Sequence, residues 1–251
     1  MTNVRERLEK HYNRAMEHYG AEAVLGVFLY GSWNYNTNTE ESDVDTKCIL
    51  VPDVYHLAIK PYEVKHLHIW PDSEEKDFEV CECMTIMHMV ANWKKQNINF
   101  VEILFTDYCI INPLYEKAWK ELLPMELREE IGRYNMRQAV NSMAHQALHT
   151  LRQDPTDPKK VMNAIRISNT LSALLDTNKG YKECIWQNDM VRENRFREPA
   201  PEVVEALDFL LNKRLNKIGD VKQNVFSPGV DRELEDLILQ FINLRTNAMW
   251  Y

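Results

Sequence analysis

A chain of 251 residues with near-average hydrophobic and charged fractions can bury a substantial core, as one large domain or two modest ones, and is not disordered. Its net charge of −8 excludes tight, indiscriminate binding to nucleic acid, which depends on neutralising phosphates, while leaving room for a locally basic groove. No stretch approaches a membrane span, and the five cysteines lack a disulfide-scaffold spacing, so a reducing cytoplasm is expected and a membrane partner is not.

Taken in chain order, Val4, Leu8, Tyr12, Met16 and Tyr19 recur at helical spacing and predict an amphipathic helix over residues 2–19. This charged N-terminal stretch has no apolar segment of the secretory kind. "AVLGVFLYG" reads as a strand ending at Gly31, and "DVDTKCILV" as the next, stopped by Pro52. "VKHLHIW" and "KDFEVCE" predict two further strands joined by a polar turn. "TIMHMVANWKKQ" predicts a helix and "NFVEILFT" a fifth strand. After Pro113 the pattern turns helical, over 113–123, 125–153, 158–176, 201–218 and 231–247, with a loop-rich stretch at 176–201. The expectation is an α+β chain: a mixed α/β domain over 1–110, then a helical domain over 111–251.

The chemistry concentrates in "LYGSWNYNTNTEESDVDTKCILV", residues 29–51. On a strand Asp43 and Asp45 point to one face, although Asp is a poor strand former and two close carboxylates repel. A divalent cation such as Mg²⁺ resolves that conflict by taking oxygen ligands from both and bridging them to phosphates. Gly31 allows close backbone approach to an anion, and Ser32 adds a hydroxyl donor. Strand, phosphate-gripping turn and acid pair together describe a nucleoside triphosphate site. Lys47 shares the acids' face on a regular strand and is a near-site charge. Trp33 and Tyr35, in the intervening loop, are candidates for stacking on a base or lining the acceptor entrance, against ordinary loop packing.

The Gly-Ser turn, the ten residues between Ser32 and Asp43, and the Asp-x-Asp strand resemble the signature of the polymerase-beta-like nucleotidyltransferase superfamily. "GSWNYNTNTEESDVDTK", "QNINFVEILFTDY" and "KKVMNAIRISNTLSALL" look similar to a bacterial and phage group of predicted nucleotidyltransferases, some associated with RNA repair. Asn163 stands where that group more often has histidine. The resemblance implies a nucleotidyltransferase-type mixed sheet and a third carboxylate on a later strand. "DFEVCE" offers Asp77, Glu79 and Glu82, and Glu79, between Phe78 and Val80, best fits the family's apolar flanks, with Asp77 in reserve. The implied reaction moves a nucleoside monophosphate from an NTP to an acceptor hydroxyl and releases pyrophosphate, with two Mg²⁺ (or Mn²⁺) ions. Asp43, Asp45 and Glu79 would hold the ions, and Gly31 and Ser32 the β- and γ-phosphates. Lys160 and Arg166 are further nucleotide-binding candidates, because the resemblance turns the helix from Pro158 toward the cleft; a solvated helix face is the bland reading of both.

Other motifs carry less. His145 and His149, at i and i+4, lack the glutamate of a zinc-protease motif. His66 and His68 share a strand face without a third ligand, and Cys81 and Cys83 are too close for a Cys-x-x-Cys pattern. The acceptor expected first is RNA, a tRNA 3′ end or RNA under repair. A protein or small-molecule hydroxyl suits the acidic charge better, and a non-catalytic nucleotide-binding module is the third reading. Oligomeric state is not legible.

Overall fold

The computed structural model describes residues 4–39, 42–69, 79–176, 179–185, 189–221 and 228–248. Helix α1 (Val4–Tyr19) leads through a 3₁₀ turn to β1 (Val24–Tyr30), then β2 (Asp45–Leu50), α2 (Val54–Ala58), β3 (Lys65–Ile69) and β4 (Glu79–Thr85). Helix α3 (Ile86–Lys94), the short α4 (Ile98–Val101) and β5 (Cys109–Ile111) complete the first part. Among the described residues the strands form one mixed sheet in the order β3-β4-β2-β1-β5, parallel only between β2 and β4.

Register assigns every strand residue to a face, because paired residues share one and neighbours alternate. Tyr30 pairs with Asp45, Phe28 with Lys47, and Lys47 with Glu82, so these side chains share a face. Leu29 pairs with Thr46 and Thr46 with Cys81, which puts Leu29, Thr46, Cys48, Glu79, Cys81 and Cys83 on the other. That second face packs under α1, whose Leu8, His11 and Ala15 are buried against it. Cys81 and Cys83 are buried there, as packing residues. All five cysteines are free.

The first face is covered by helices α5 (Pro113–Leu122), α6 (Met125–Gly132), α7 (Met136–Gln153), α8 (Pro158–Asp176), α11 (Pro201–Asn216) and α12 (Pro228–Ala248) together with α3 and α4. One apolar core runs without a break from Phe28, Ile49 and Met84 of the sheet to Ala147, Leu171 and Phe241 of these helices. The change at residue 110 is thus one of secondary structure, not of core. Helix α12 is tied back to the sheet by Arg245, which donates to the Val51 carbonyl and, at 3.0 Å, to Asp53 Oδ2. Among the described residues no helix is long and apolar enough to cross a membrane.

Two sequence expectations are corrected. "NFVEILFT" forms no strand: it is α4 followed by a 3₁₀ turn, Glu102–Leu104, and the edge strand is β5. Asn97 caps α4 by accepting from the Asn99 amide at 3.2 Å, and the Trp93 indole donates to the Phe100 carbonyl at 3.0 Å. A short apolar run buried on all sides has no periodicity to separate the two forms. The helix expected over 125–153 breaks into α6 and α7. A Cβ on Gly132 would lie 2.6 Å from the Tyr181 ring, and Asn135 caps α7 by accepting from the Gln138 amide at 3.0 Å. The loop-rich stretch holds two short helices, α9 (Tyr181–Ile185) and α10 (Asp189–Arg192), and a 3₁₀ turn at Glu193–Phe196.

Candidate functional site

Strand β1 ends at Gly31, whose φ of +80° is open to glycine at little cost. A Cβ there would sit 3.7 Å from Asp45 Oδ2, so the turn and the first acid of β2 adjoin directly. The turn is held internally: the Gly31 carbonyl accepts from the Asn34 amide at 3.0 Å and the Ser32 carbonyl from the Thr37 amide at 2.9 Å. The Ser32 hydroxyl is half-exposed beside it and has no partner among the described residues.

Asp43 is exposed and Asp45 half-buried. Burial raises the Asp45 pKa and the Asp43 charge raises it further; Lys159, His11 and Lys47 oppose the shift. The pair is thus a concentration of negative charge that its protein neighbours only partly offset. Oxygen ligands of this kind, one exposed and one half-buried, suit a hard divalent cation. Among the described residues no group of three or more His, Cys, Asp or Glu side chains is placed to hold a metal.

Glu79 is not brought to the pair. It lies on the α1 face, where it ion-pairs with Arg7 and accepts from His11 Nε2 at 2.9 Å. The other His11 nitrogen meets Thr46 Oγ1 at 2.7 Å, and the Val44 amide donates to Glu79 Oε1 at 3.4 Å. This carboxylate fastens α1 to the sheet. Asp77 lies outside the described residues. Glu82 is on the face of Asp45, but it is ion-paired with Lys47.

Lys47 departs from its expected role. It shares the acids' face, yet it is 2% exposed, with its ammonium 4.1 Å from the Tyr30 ring and 4.2 Å from the Phe100 ring. Enclosed by two rings and Glu82, it offers nothing to a ligand. Arg166 is likewise buried: its guanidinium lies 3.7 Å over the Tyr35 ring, and its Nε donates to Asn163 Oδ1 at 3.2 Å. Asn163, the position that departs from the resembled group, therefore orients Arg166. Tyr35 is buried beneath that guanidinium, not open to a base. Trp33 is half-buried and donates from its indole to the Ser42 carbonyl at 3.1 Å.

On helix α8 it is the charge of Lys159, not that of Lys160, that acts on Asp45. Lys159, exposed in the first turn, is within electrostatic reach of Asp45, whereas Lys160 acts on Asp154. The loop between Ser32 and Asp43 is held from two sides. Arg7 donates to the Ser42 carbonyl at 3.3 Å, and Arg195 donates to the Thr37 carbonyl and, at 3.3 Å, to Ser42 Oγ. Sequence reasoning missed Lys159, Arg7, Arg195 and Glu102, the last of which accepts from the Gly31 amide at 3.2 Å. Nothing in the local sequence marks them, apart from the adjacency of Lys159 to Lys160.

His145 and His149 are exposed and bond within their own helix, to the Asn141 carbonyl and to Gln153. They form an ordinary helical face. His66 is exposed, 3.9 Å from Glu82, and the side chain of His68 lies outside the described residues. No protein-family model and no curated protein matches the chain.

Proposed function

We propose that the chain is a metal-dependent nucleotidyltransferase that moves a nucleoside monophosphate from an NTP to an acceptor hydroxyl, with RNA, a tRNA 3′ end or RNA under repair, as the acceptor. One observation carries the reading: a positive-φ glycine turn adjoins Asp45, the first residue of the neighbouring antiparallel strand, whose charge Asp43, just before that strand rather than on it, reinforces. Asp43 and Asp45 would hold divalent ions, which when bound supply charge neutralisation along the line of attacking and leaving oxygens. The Ser32 hydroxyl donates to a phosphate oxygen, and the Lys159 ammonium draws the triphosphate toward the pair. The hold of Arg7 and Arg195 on Thr37 and Ser42 limits reorganisation as charge shifts, which is where most of the acceleration in such transfers arises.

Incubation with each α-labelled NTP, Mg²⁺ or Mn²⁺, and separate pools of tRNA, protein and small molecules tests both class and acceptor. Label in the RNA pool is expected. Label only in the protein or small-molecule pool would replace RNA as acceptor while keeping the chemistry. A second reading, a non-catalytic nucleotide-binding module, is favoured by the engagement of Glu79 with Arg7 and His11. Nucleotide binding without pyrophosphate release in any pool would establish it.

A further inference from the structure

Beneath the Gly31 turn lies a buried polar cluster that the proposed chemistry does not use. Glu102 is 1% exposed and Arg166 is 4% exposed. Glu102 Oε1 accepts from the Gly31 amide, so that N–H of the turn is directed inward. Glu102 Oε2, Arg166 Nη1 and Asn34 Nδ2 are buried with no hydrogen-bond partner among the described residues. Thr106 donates to Asn34 Oδ1 at 2.7 Å, extending the cluster toward the loop. An acid held this deep, with one oxygen committed and the other orphaned, is favoured neutral.

We propose that Glu102 is a positioning residue that fixes the Gly31 turn through its carboxyl, and that its ionisation places a negative charge directly behind the anion seat and weakens triphosphate binding there. The second half rests on the nucleotidyltransferase reading. The charged and titratable groups facing Glu102 are Arg166 from α8, Tyr181 from α9 and Tyr30 from β1. Burial pushes the Glu102 carboxyl up to about 8, against the opposing Arg166 charge and the Gly31 hydrogen bond. Burial likewise raises both tyrosines far out of the neutral range, so neither changes charge with it. Burial lowers the Arg166 guanidinium only to about 10, so it stays cationic across the transition.

The test has two arms. Carbonyl-labelled tyrosine combined with ¹⁵N-glycine selects two amides, Gly20 and Gly31, because only these glycines follow tyrosine. The Tyr19→Phe variant identifies the first. The Gly31 amide resonance is expected to titrate with a midpoint near 8 in the wild type and to be flat in Glu102→Gln, whose amide oxygen still accepts the hydrogen bond. A flat Gly31 resonance in the folded wild type between pH 6 and 9.5 overturns the proposal without reference to any nucleotide. The second arm measures affinity for inorganic triphosphate with Mg²⁺ in both proteins. The ratio at each pH cancels the ligand's own titration. Glu102→Gln is expected to bind about as tightly as wild type at pH 6.5 and about tenfold more tightly at pH 9. A ratio that stays constant overturns the proposal. A titrating Gly31 amide with no triphosphate binding in either protein supports the hold of Glu102 on the turn and overturns the turn as a phosphate seat.

Discussion

Two acidic clusters sit back to back at one end of the sheet, and their difference separates structure from chemistry. On the α1 face, Glu79 meets a guanidinium, an imidazole and a backbone amide, so its charge and its lone pairs are satisfied. Asp45, on the helical face, feels the charge of Asp43, which raises its pKa, and Lys159, His11 and Lys47 oppose that shift only in part. Fully partnered acids hold elements together. Acids left to repel one another are retained at a cost that an external cation or substrate removes.

The sharpest way to break this comparison is to remove charge from each cluster in turn. Asp45→Asn is expected to lower NMP transfer by about a thousandfold while leaving the thermal midpoint unchanged or raised, since it relieves burial and like-charge repulsion. Asp43→Asn should lower transfer likewise and leave the thermal midpoint unchanged, since Asp43 is exposed. Transfer at wild-type rate in either variant would remove the pair from the site. Glu79→Ala is expected to do the reverse. It removes the carboxylate that Arg7 and the fully buried His11 share, and it should cost of order 3 kcal/mol in urea unfolding while folded molecules keep most of their activity. A Glu79→Ala protein of unchanged stability and no activity would return Glu79 to the metal.

A subtler contrast uses pH. Glu102 has a folded pKa of about 8 against an ordinary value of 4.5, so the folded state holds a proton that the unfolded state releases. Its contribution is fully present below pH 4.5 and is lost as pH rises through 8, so stability falls across that window. The difference between wild type and Glu102→Gln should change by about 2 kcal/mol from pH 5 to 9. That is below the full linkage value, because relaxation and water entry relieve a newly buried charge. Equal pH profiles in the two proteins would show that Glu102 is already ionised at low pH.

These contrasts also mark what the sequence could reveal. The turn at Gly31 was legible from a glycine closing an apolar run, and Asp45 stood out because aspartate is a poor strand former. The third carboxylate was not. Glu79 and Glu82 lie on opposite faces of β4, and which face meets the acids is set by the register of β4 on β2, a tertiary property that a single residue of slip reverses. Lys47 was placed on its face correctly, but its enclosure by Tyr30 and Phe100 depends on a helix from a segment that reads as a strand. The same misreading hid Glu102. The helix beginning at Pro158 was legible, and its rotation was uncertain by one residue.

That single residue supplies the smallest and most specific test. Successive side chains on a helix are turned by about 100°, so Lys159 and Lys160 cannot both look at the acids. The charge of Lys159 acts on Asp45 and that of Lys160 on Asp154. Lys159 is exposed and flexible, so its hold on a phosphate is worth little more than a surface ion pair strengthened by the second charge of the ligand. Lys159→Ala should therefore raise the KM for NTP about fivefold with kcat nearly unchanged, and Lys160→Ala should leave both constants alone. Because only a charge contact is lost, added salt should narrow the gap between wild type and Lys159→Ala. The opposite ranking of the two variants would mean that α8 is rotated by one position, and would move Arg166 off the Tyr35 ring with it.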